Sequence, residues 1–322
     1  MKALVQSIVA ASVAFATPVA AEMDHPARAV PSLSAGRVVA WPALDGGAAG
    51  PMSVWVWLPP GYDAAHSKRF PVLYMHDGQN LFDRRLTKFD QEWGLDEAVT
   101  RMARQGDLRQ WIVVGVQSPR ARYRTLFPAK LLPLLSPALR KRVEALEDGD
   151  TKGGFASDAY LRFLTGTVKR RVDAKFRTLA GPADTAVMGS SMGGLMAFYA
   201  MTEHPLVFGQ AAAVSMHVAL ANSTDKAIDH AAAAGEVAEA FRRYLASAAV
   251  QPATNRLYVD HGSGTLDGSY GPYSAALLPV FERAGWRGAA FQFRTYAGAE
   301  HNETAWAQRV DIPLAFLDRT DP

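Results

Sequence analysis

The residues best suited to chemistry lie in one short stretch, 189–194, which reads Gly-Ser-Ser-Met-Gly-Gly and follows a β-branched run. In the G-x-S-x-G pattern, a serine lies on a sharp turn between a strand and a helix. Glycines two positions before and after it avoid clashes with neighbouring backbone. Only Ser191 has glycines at both of those positions, whereas Ser190 does not. The pattern predicts Ser191 as the nucleophile of an acyl-transfer reaction.

A serine hydroxyl is a poor nucleophile unless a general base accepts its proton. Of the eight histidines, only His301 follows the last strand-like run, in a loop of small residues that opens the final helix-like segment. His217 and His261 also come after Ser191, and a structural role is the alternative for each. We predict His301 as the base, because the nucleophile, acid and histidine follow one another in that order in hydrolases with this serine turn.

The carboxylate that would orient the histidine is expected in the loop beyond a late strand, where it is free to meet the imidazole. Asp267 lies in such a glycine-rich loop and is the first choice. Asp260 lies at the end of the preceding strand and is the alternative, although it is also suited to bonding the loop backbone. Glu300 ranks low, because neighbouring side chains in an extended segment diverge from each other.

Backbone amides must stabilise the oxyanion of a tetrahedral intermediate. One is predicted to be the N–H of Met192, directly after the nucleophile, and the other to come from the loop 76–80 after an early strand. The same loop is compatible with an ordinary turn, and the two interpretations coexist.

Strands and helices must hold these residues in position. Along the chain, segments whose hydrophobic residues have the spacing of a strand alternate with segments whose hydrophobic residues have the spacing of a helix. Strand-like runs are found at 52–58, 72–75, 111–116, 185–188, 256–259 and 291–295, and helix-like segments at 93–103, 159–176, 195–203, 237–249, 273–284 and 304–317. Strands that alternate with helices predict an α/β protein with a mainly parallel central sheet and helices on both faces. The first of these strands alternates in polarity and is expected at an antiparallel edge. We therefore predict the α/β-hydrolase fold, in a single catalytic domain over residues 37–320.

One segment, at about 125–150, departs from this rhythm. It combines three prolines with large aliphatic residues and is too long for an ordinary loop between a strand and a helix. We interpret it as an excursion over the carboxyl edge of the sheet, where ligands bind in open α/β folds. The alternative is a solvated insertion without substrate contact.

The N-terminus has the features of an export signal. Lys2 precedes an uncharged apolar run, and small residues lead to predicted cleavage after Ala21. The run is shorter than a membrane span. Residues 1–21 are therefore predicted to be a signal peptide and residues 22–36 a flexible lead-in, and the mature protein is expected to be secreted or periplasmic, without a stable membrane anchor.

Composition excludes several classes of function. The 322-residue chain has no cysteine, which rules out disulfides, thiolate metal sites and a cysteine nucleophile. Its formal net charge is +3 without a basic cluster, so we expect no nucleic-acid partner. Residues 148–150 lack the rest of a calcium loop, and no histidine pair has the spacing of a zinc site. We expect neither a metal nor a cofactor.

Three motifs together resemble the putative-esterase family of α/β hydrolases. They are Tyr-Met-His-Asp-Gly-Gln-Asn-Leu-Phe-Asp at 74–83, the serine turn at 189–194, and Gly-Ala-Glu-His-Asn-Glu-Thr-Ala-Trp at 298–306. That family includes esterase D, feruloyl esterases, enterobactin-type siderophore esterases and antigen 85 acyltransferases. The resemblance extends over roughly residues 50–318 and implies Ser191 as nucleophile, His301 as base, and Gln79 with Met192 as oxyanion amides. The motif at 264–267 resembles the family's acid motif, but in compressed form. Some relatives work with a Ser–His pair and no acid, and such a pair is the alternative to a triad that includes Asp267.

The sequence therefore predicts a serine esterase that acts on a small-molecule ester. Two alternatives remain: an acyltransferase of the antigen 85 type, and a non-catalytic binding module on a hydrolase scaffold.

Overall fold

The computed structural model describes residues 30–146, 154–225 and 227–318. Eight strands form one sheet with the order β1-β2-β4-β3-β5-β6-β7-β8. Their bounds are β1 Arg37–Leu44, β2 Met52–Leu58, β3 Val72–His76, β4 Ile112–Val116, β5 Thr185–Ser190, β6 Gln210–Val214, β7 Arg256–His261 and β8 Phe291–Thr295. Strands β3 to β8 are parallel to one another, whereas β2 is antiparallel to both β1 and β4.

Two strands were not predicted from the sequence, and each has a physical reason. Strand β1 contains Pro42, and proline within a sheet is tolerated at an edge, where its missing N–H faces no partner strand. Because β1 covers it, β2 is antiparallel as expected but is not the edge strand. Strand β6 reads Gln-Ala-Ala-Ala-Val, a composition with low β-propensity, and forms a strand between β5 and β7.

The helices cover both faces of the sheet. They are α1 Leu95–Gln105, α2 Arg122–Leu126, α3 Pro137–Glu144, α4 Ser157–Arg162, α5 Arg170–Lys175, α6 Met192–Glu203, α7 His230–Leu245, α8 Gly271–Ala284, α9 Glu303–Ala307 and α10 Asp311–Leu317. A π-helical segment, Phe163–Lys169, joins α4 to α5. Alternate residues of each strand point to opposite faces. One buried layer contains residues of α2 to α8, and the other contains residues of α1, α9 and α10. The predicted α/β-hydrolase architecture is confirmed.

The parallel strands end at one edge, and the loops at this edge bring distant parts of the chain together. Strand β3 leads to the turn Gly78–Asn80, β5 leads to Ser191, and β7 leads to the turn Thr265–Ser269. The loop after β8 carries His301. The predicted functional residues therefore share one edge of the sheet.

The described part of the segment at about 125–150 is not a solvated insertion. Leu126, Phe127 and Leu131 are fully buried in the larger core layer. Ala129 N–H donates to Ser157 Oγ over 3.0 Å, and Ser136 N–H donates to Glu236 Oε1 over 2.7 Å. Residues 126–136 therefore support the fold.

The predicted signal peptide and its cleavage point lie outside the described residues. The described end of the lead-in is held against the body, because Ser32 N–H donates to Asp83 and Ser34 N–H donates to Asp96, each over 2.8 Å. Among the residues that the structure describes, no helix is long and apolar enough to cross a membrane.

Candidate active site

Ser191 occupies a strained turn between β5 and α6. Its backbone has φ 56° and ψ −122°, a conformation that residues other than glycine rarely adopt. A Cβ at Gly189 would lie 2.7 Å from the backbone of Gly193, and a Cβ at Gly194 would lie 2.9 Å from the Val214 carbonyl oxygen. Glycines are required here because the end of β5 touches the start of α6, which in turn touches the end of β6. Ser191 is partly exposed, whereas Ser190 lies in β5 and is only 5% exposed, so Ser191 carries the reachable hydroxyl.

His301 and Asp267 form a hydrogen-bonded pair. Nδ1 of His301 lies 2.6 Å from Oδ1 of Asp267, and the backbone N–H of His301 donates to Thr265 Oγ1 over 2.8 Å. An ionised carboxylate only accepts hydrogen bonds, so we assign the imidazole proton to Nδ1, which leaves Nε2 able to accept a proton.

The electrostatics of Asp267 favour its ionised form. Burial alone would raise the pKa of Asp267, but the hydrogen bond and charge of His301, with hydrogen bonds from Ser215 and Gly262, bring it below its ordinary value. Ser215 Oγ and Gly262 N–H each donate to Oδ2 over 2.6 Å. The carboxylate is therefore held with one oxygen toward the histidine.

The alternative acids have other partners. Asp260 accepts hydrogen bonds from Ser215 N–H over 2.8 Å and from the Tyr258 hydroxyl over 2.8 Å, and it forms a buried ion pair with Arg309 over 3.0 Å. Glu300 is exposed and accepts from the Asn302 amide. In this structure, only Asp267 of the three candidates bonds to His301.

The chain after β6 connects the serine turn to the His301–Asp267 pair. Ser191 N–H donates to the Val214 carbonyl over 3.0 Å, and His217 N–H donates to the Ser191 carbonyl over 3.1 Å. Ser215 lies between Val214 and His217 in the sequence, and its hydroxyl bonds to Asp267. Burial and the nearby charge of His301 lower the pKa of His217 to about 3, so this imidazole is neutral.

The rival histidines also bond elsewhere. His217 Nδ1 lies 3.0 Å from the Tyr270 hydroxyl. His261 is buried, with Nδ1 at 2.6 Å from the Gly262 carbonyl and Nε2 at 3.2 Å from Thr295 Oγ1.

The predicted oxyanion donors lie in first turns of helical segments. Met192 is the first residue of α6, where backbone N–H groups have no acceptor within the helix. Gln79 lies in the 3-10 turn Gly78–Asn80. A Cβ at Gly78 would lie 2.4 Å from the backbone of Gly115 in β4, so the turn runs directly against the sheet.

Ser118, in the loop after β4, and Arg122, at the start of α2, hold this turn in place. Ser118 N–H donates to Gln79 Oε1 over 3.0 Å, and Gln79 Nε2 donates to Ser118 Oγ over 2.8 Å. Asp77, which has φ 57°, accepts a hydrogen bond from the Ser118 hydroxyl and two from Arg122, over 2.7 and 2.8 Å. Burial opposes ionisation of Asp77, yet the charge and hydrogen bonds of Arg122 lower its pKa. Two side chains therefore fix the residues on either side of Gly78.

Sequence reasoning missed three residues around the site: Ser118, Ser215 and Arg309. None of them lies in a motif, and no local signal marks them, because their roles come from partners 39 to 94 positions away. Arg122, which pairs with Asp77, also lies outside the three motifs. In the described ranges, no group of three or more His, Cys, Asp or Glu residues could hold a metal ion.

Comparison with curated proteins finds a distant relative. "Uncharacterized protein YbbA" of Bacillus subtilis (strain 168) is 24% identical over 160 residues, which are 50% of this chain and 54% of that protein. The chain thus spans about half the length of this curated relative.

Solved structures show the same fold at low sequence identity. A ferulic acid esterase matches with a TM-score of 0.61 and 17% identity, over 88% of this chain and 99% of that chain. An IroE-like serine hydrolase from Shewanella oneidensis matches with a TM-score of 0.61 and 15% identity, over 86% and 79% of the two chains. A ferric enterobactin esterase from Salmonella typhimurium matches with a TM-score of 0.60 and 15% identity, over 91% and 61%.

The sequence profile of the family described as "Putative esterase" matches residues 48–311, which is most of the chain. This match confirms the resemblance seen in the three motifs. The chain belongs to the Putative esterase family.

Proposed function

We propose that this protein hydrolyses a carboxylic ester through an acyl-serine intermediate, with Ser191 as nucleophile, His301 as base and Asp267 as the orienting acid. The family assignment places the chain among esterases. The observation that carries the serine mechanism is the 2.6 Å bond between His301 and Asp267 at the sheet edge where Ser191 occupies its strained turn.

The geometry supports a two-step reaction. His301 Nε2 accepts the Ser191 hydroxyl proton while Oγ attacks the ester carbonyl, and the oxyanion is stabilised by the N–H groups of Gln79 and Met192. Collapse breaks the ester bond, and the imidazolium gives its proton to the departing alcohol. Water then attacks the acyl-serine with His301 as base, which releases the acid and restores Ser191.

The substrate is a small-molecule ester, and the named neighbours suggest its class. They include a ferulic acid esterase and a ferric enterobactin esterase. In this chain the half-buried Tyr123 ring lies 6.3 Å from His217, whose backbone bonds to Ser191. Because His217 lies between this ring and the Ser191 turn, we propose an ester with an aromatic or bulky acyl group. An acyltransferase would share these residues and differ only in the molecule that accepts the acyl group.

The export signal predicted from the sequence of residues 1–21 supports action outside the cytoplasm, and we propose a secreted or periplasmic enzyme. A non-catalytic binding module is the alternative of another class. The combination of a partly exposed Ser191 with a bonded His301–Asp267 pair supports catalysis over binding alone.

Paired serine substitutions test the proposal. Ser191→Ala should lower turnover of p-nitrophenyl acetate at least about 10³-fold, because the covalent step is lost. Ser190→Ala is the matched control and should retain most activity, because that hydroxyl is buried in β5. Equal effects of the two substitutions, or full activity in Ser191→Ala, would overturn the proposed mechanism.

A further inference from the structure

Ser215 is a buried residue that none of the recognised motifs includes. It directly follows β6, it is fully buried, and its φ of 40° is unusual for a residue other than glycine. Its hydroxyl has three partners: Oδ2 of Asp267 at 2.6 Å, Nε1 of Trp306 at 2.9 Å and Nη2 of Arg309 at 3.0 Å.

The chemistry of these partners determines where the hydroxyl proton lies. An indole N–H and a guanidinium group donate hydrogen bonds and do not accept them. Trp306 and Arg309 therefore occupy the two lone pairs of Ser215 Oγ. The single proton of the hydroxyl is left for Asp267, the one partner that accepts.

Hydrogen bonds to both oxygens fix the orientation of the Asp267 carboxylate. Ser215 O–H and Gly262 N–H both point at Oδ2 of Asp267, and Oδ1 faces His301. A rotation of the carboxylate would break both bonds to Oδ2. We propose that Ser215 is a positioning residue that holds Asp267 in the orientation required to orient His301.

Ser215 is itself fixed by the buried ion pair between Asp260 and Arg309. Oδ1 of Asp260 accepts the Ser215 backbone N–H over 2.8 Å, and Nη2 of Arg309 bonds to both Asp260 and the Ser215 hydroxyl. The residue before Ser215 is Val214, whose carbonyl accepts the Ser191 N–H. The ion pair therefore locates the hydroxyl relative to both the acid and the nucleophile turn.

This inference rests on the proposed function, and its first test is a comparison of kcat with KM. Ser215→Ala should lower kcat about tenfold or more, the loss expected when a hydrogen bond to a charged group is removed, and should leave KM within about twofold. Ser215→Cys keeps the shape and a weak donor, so it should fold and show an intermediate kcat.

Thr202→Val is the matched control. Thr202 is fully buried and bonds to the Tyr244 hydroxyl at 2.6 Å, and it lies eleven positions after Ser191 along α6, roughly 16 Å away. Its substitution also removes a buried hydroxyl, but kcat should stay within about twofold. A loss of kcat in Thr202→Val equal to that in Ser215→Ala would mean that general destabilisation explains both and would overturn the inference.

A double-mutant cycle with Asp267→Ala separates positioning from a purely structural role. Rates are measured on an activated ester, and the residual rate of Ser191→Ala is subtracted from each as background. If the hydroxyl acts through Asp267, Ser215→Ala should cost less than about twofold in the Asp267→Ala background. An undiminished loss in that background, with Ser191 still essential, would overturn the inference and leave the proposed function intact. Full activity in Ser191→Ala would instead overturn the proposed function.

Discussion

Asp267 and Asp260 are buried carboxylates seven positions apart, and asparagine at each should affect different properties. In Asp267→Asn, the side-chain carbonyl must face the two donors Ser215 O–H and Gly262 N–H. The new NH₂ group then faces His301 Nδ1, which becomes an acceptor. The imidazole proton moves to Nε2, where it blocks acceptance of the Ser191 proton.

The expected catalytic loss is large, while the fold is preserved. The same wrong-tautomer effect lowers kcat about 10⁴-fold in a serine protease, and a similar loss is expected here. It corresponds to about 5.5 kcal/mol in the activation free energy. Asparagine has nearly the same volume and keeps both hydrogen bonds to Ser215 and Gly262, so the free energy of unfolding should change by less than about 1–2 kcal/mol.

Asp260→Asn should show the opposite balance. The substitution removes the negative charge opposite Arg309, and both side chains are at most 6% exposed. An uncompensated buried charge costs about 3–5 kcal/mol of stability. The Asn carbonyl still accepts the Ser215 N–H, so kcat of the folded protein should fall less than about tenfold.

Urea unfolding and kcat on p-nitrophenyl acetate, measured at a temperature where both variants are folded, separate the two effects. A loss of kcat near 10⁴-fold in Asp260→Asn with near-normal turnover in Asp267→Asn would reassign the acid to Asp260. Near-normal turnover in both variants would favour a Ser191–His301 pair that works without an acid.

Three further predictions concern the oxyanion turn, pH and export. Arg122→Gln should lower kcat about 10- to 100-fold, because Asp77 loses the partner that holds the turn beside Gln79, whereas the exposed control Arg120→Gln should be near normal in the same assay. Burial lowers the pKa of His76 from 6.5 to about 4, so the unfolded chain binds more protons than the folded protein in this range, and stability is lost as pH falls from about 6.5 toward 4. Urea unfolding of His76→Gln should show an acid-induced loss smaller by up to about 3 kcal/mol, and an unchanged loss would contradict this cause. The intact mass of exported protein should correspond to a chain that begins at Glu22, and a retained Met1 would refute the signal peptide.

Local patterns were sufficient for the class of fold and for much of the proposed site. The close contact between Gly189 and Gly193 joins residues only four positions apart, so a short motif predicts the turn around Ser191. The alternation of strands and helices predicts a parallel sheet, because each period follows from local geometry. His301 was predicted as the base because the histidine comes last in the order of catalytic residues in such hydrolases.

Other features depended on contacts between distant residues. Gln210–Val214 is rich in alanine and forms a strand because β5 and β7 flank it. The prolines and leucines at 126–136 suggested an excursion over the sheet edge, but the burial of Leu126, Leu131 and Leu135 depends on helices that come later in the chain. Spacing ranked Asp267 ahead of Asp260 but left both open, because Asp260 lies near the end of β7 and Asp267 comes seven positions later in the following turn.

Only the tertiary structure distinguished these two carboxylates. It places Arg309, from the C-terminal end of the chain, against Asp260, and it places Ser215 and His301 against Asp267. A sequence motif reports the conformation of adjacent residues. The role of a buried carboxylate depends on the donors around it, and here most of those donors come from segments 34 to 52 positions away for Asp267 and 45 to 49 positions away for Asp260.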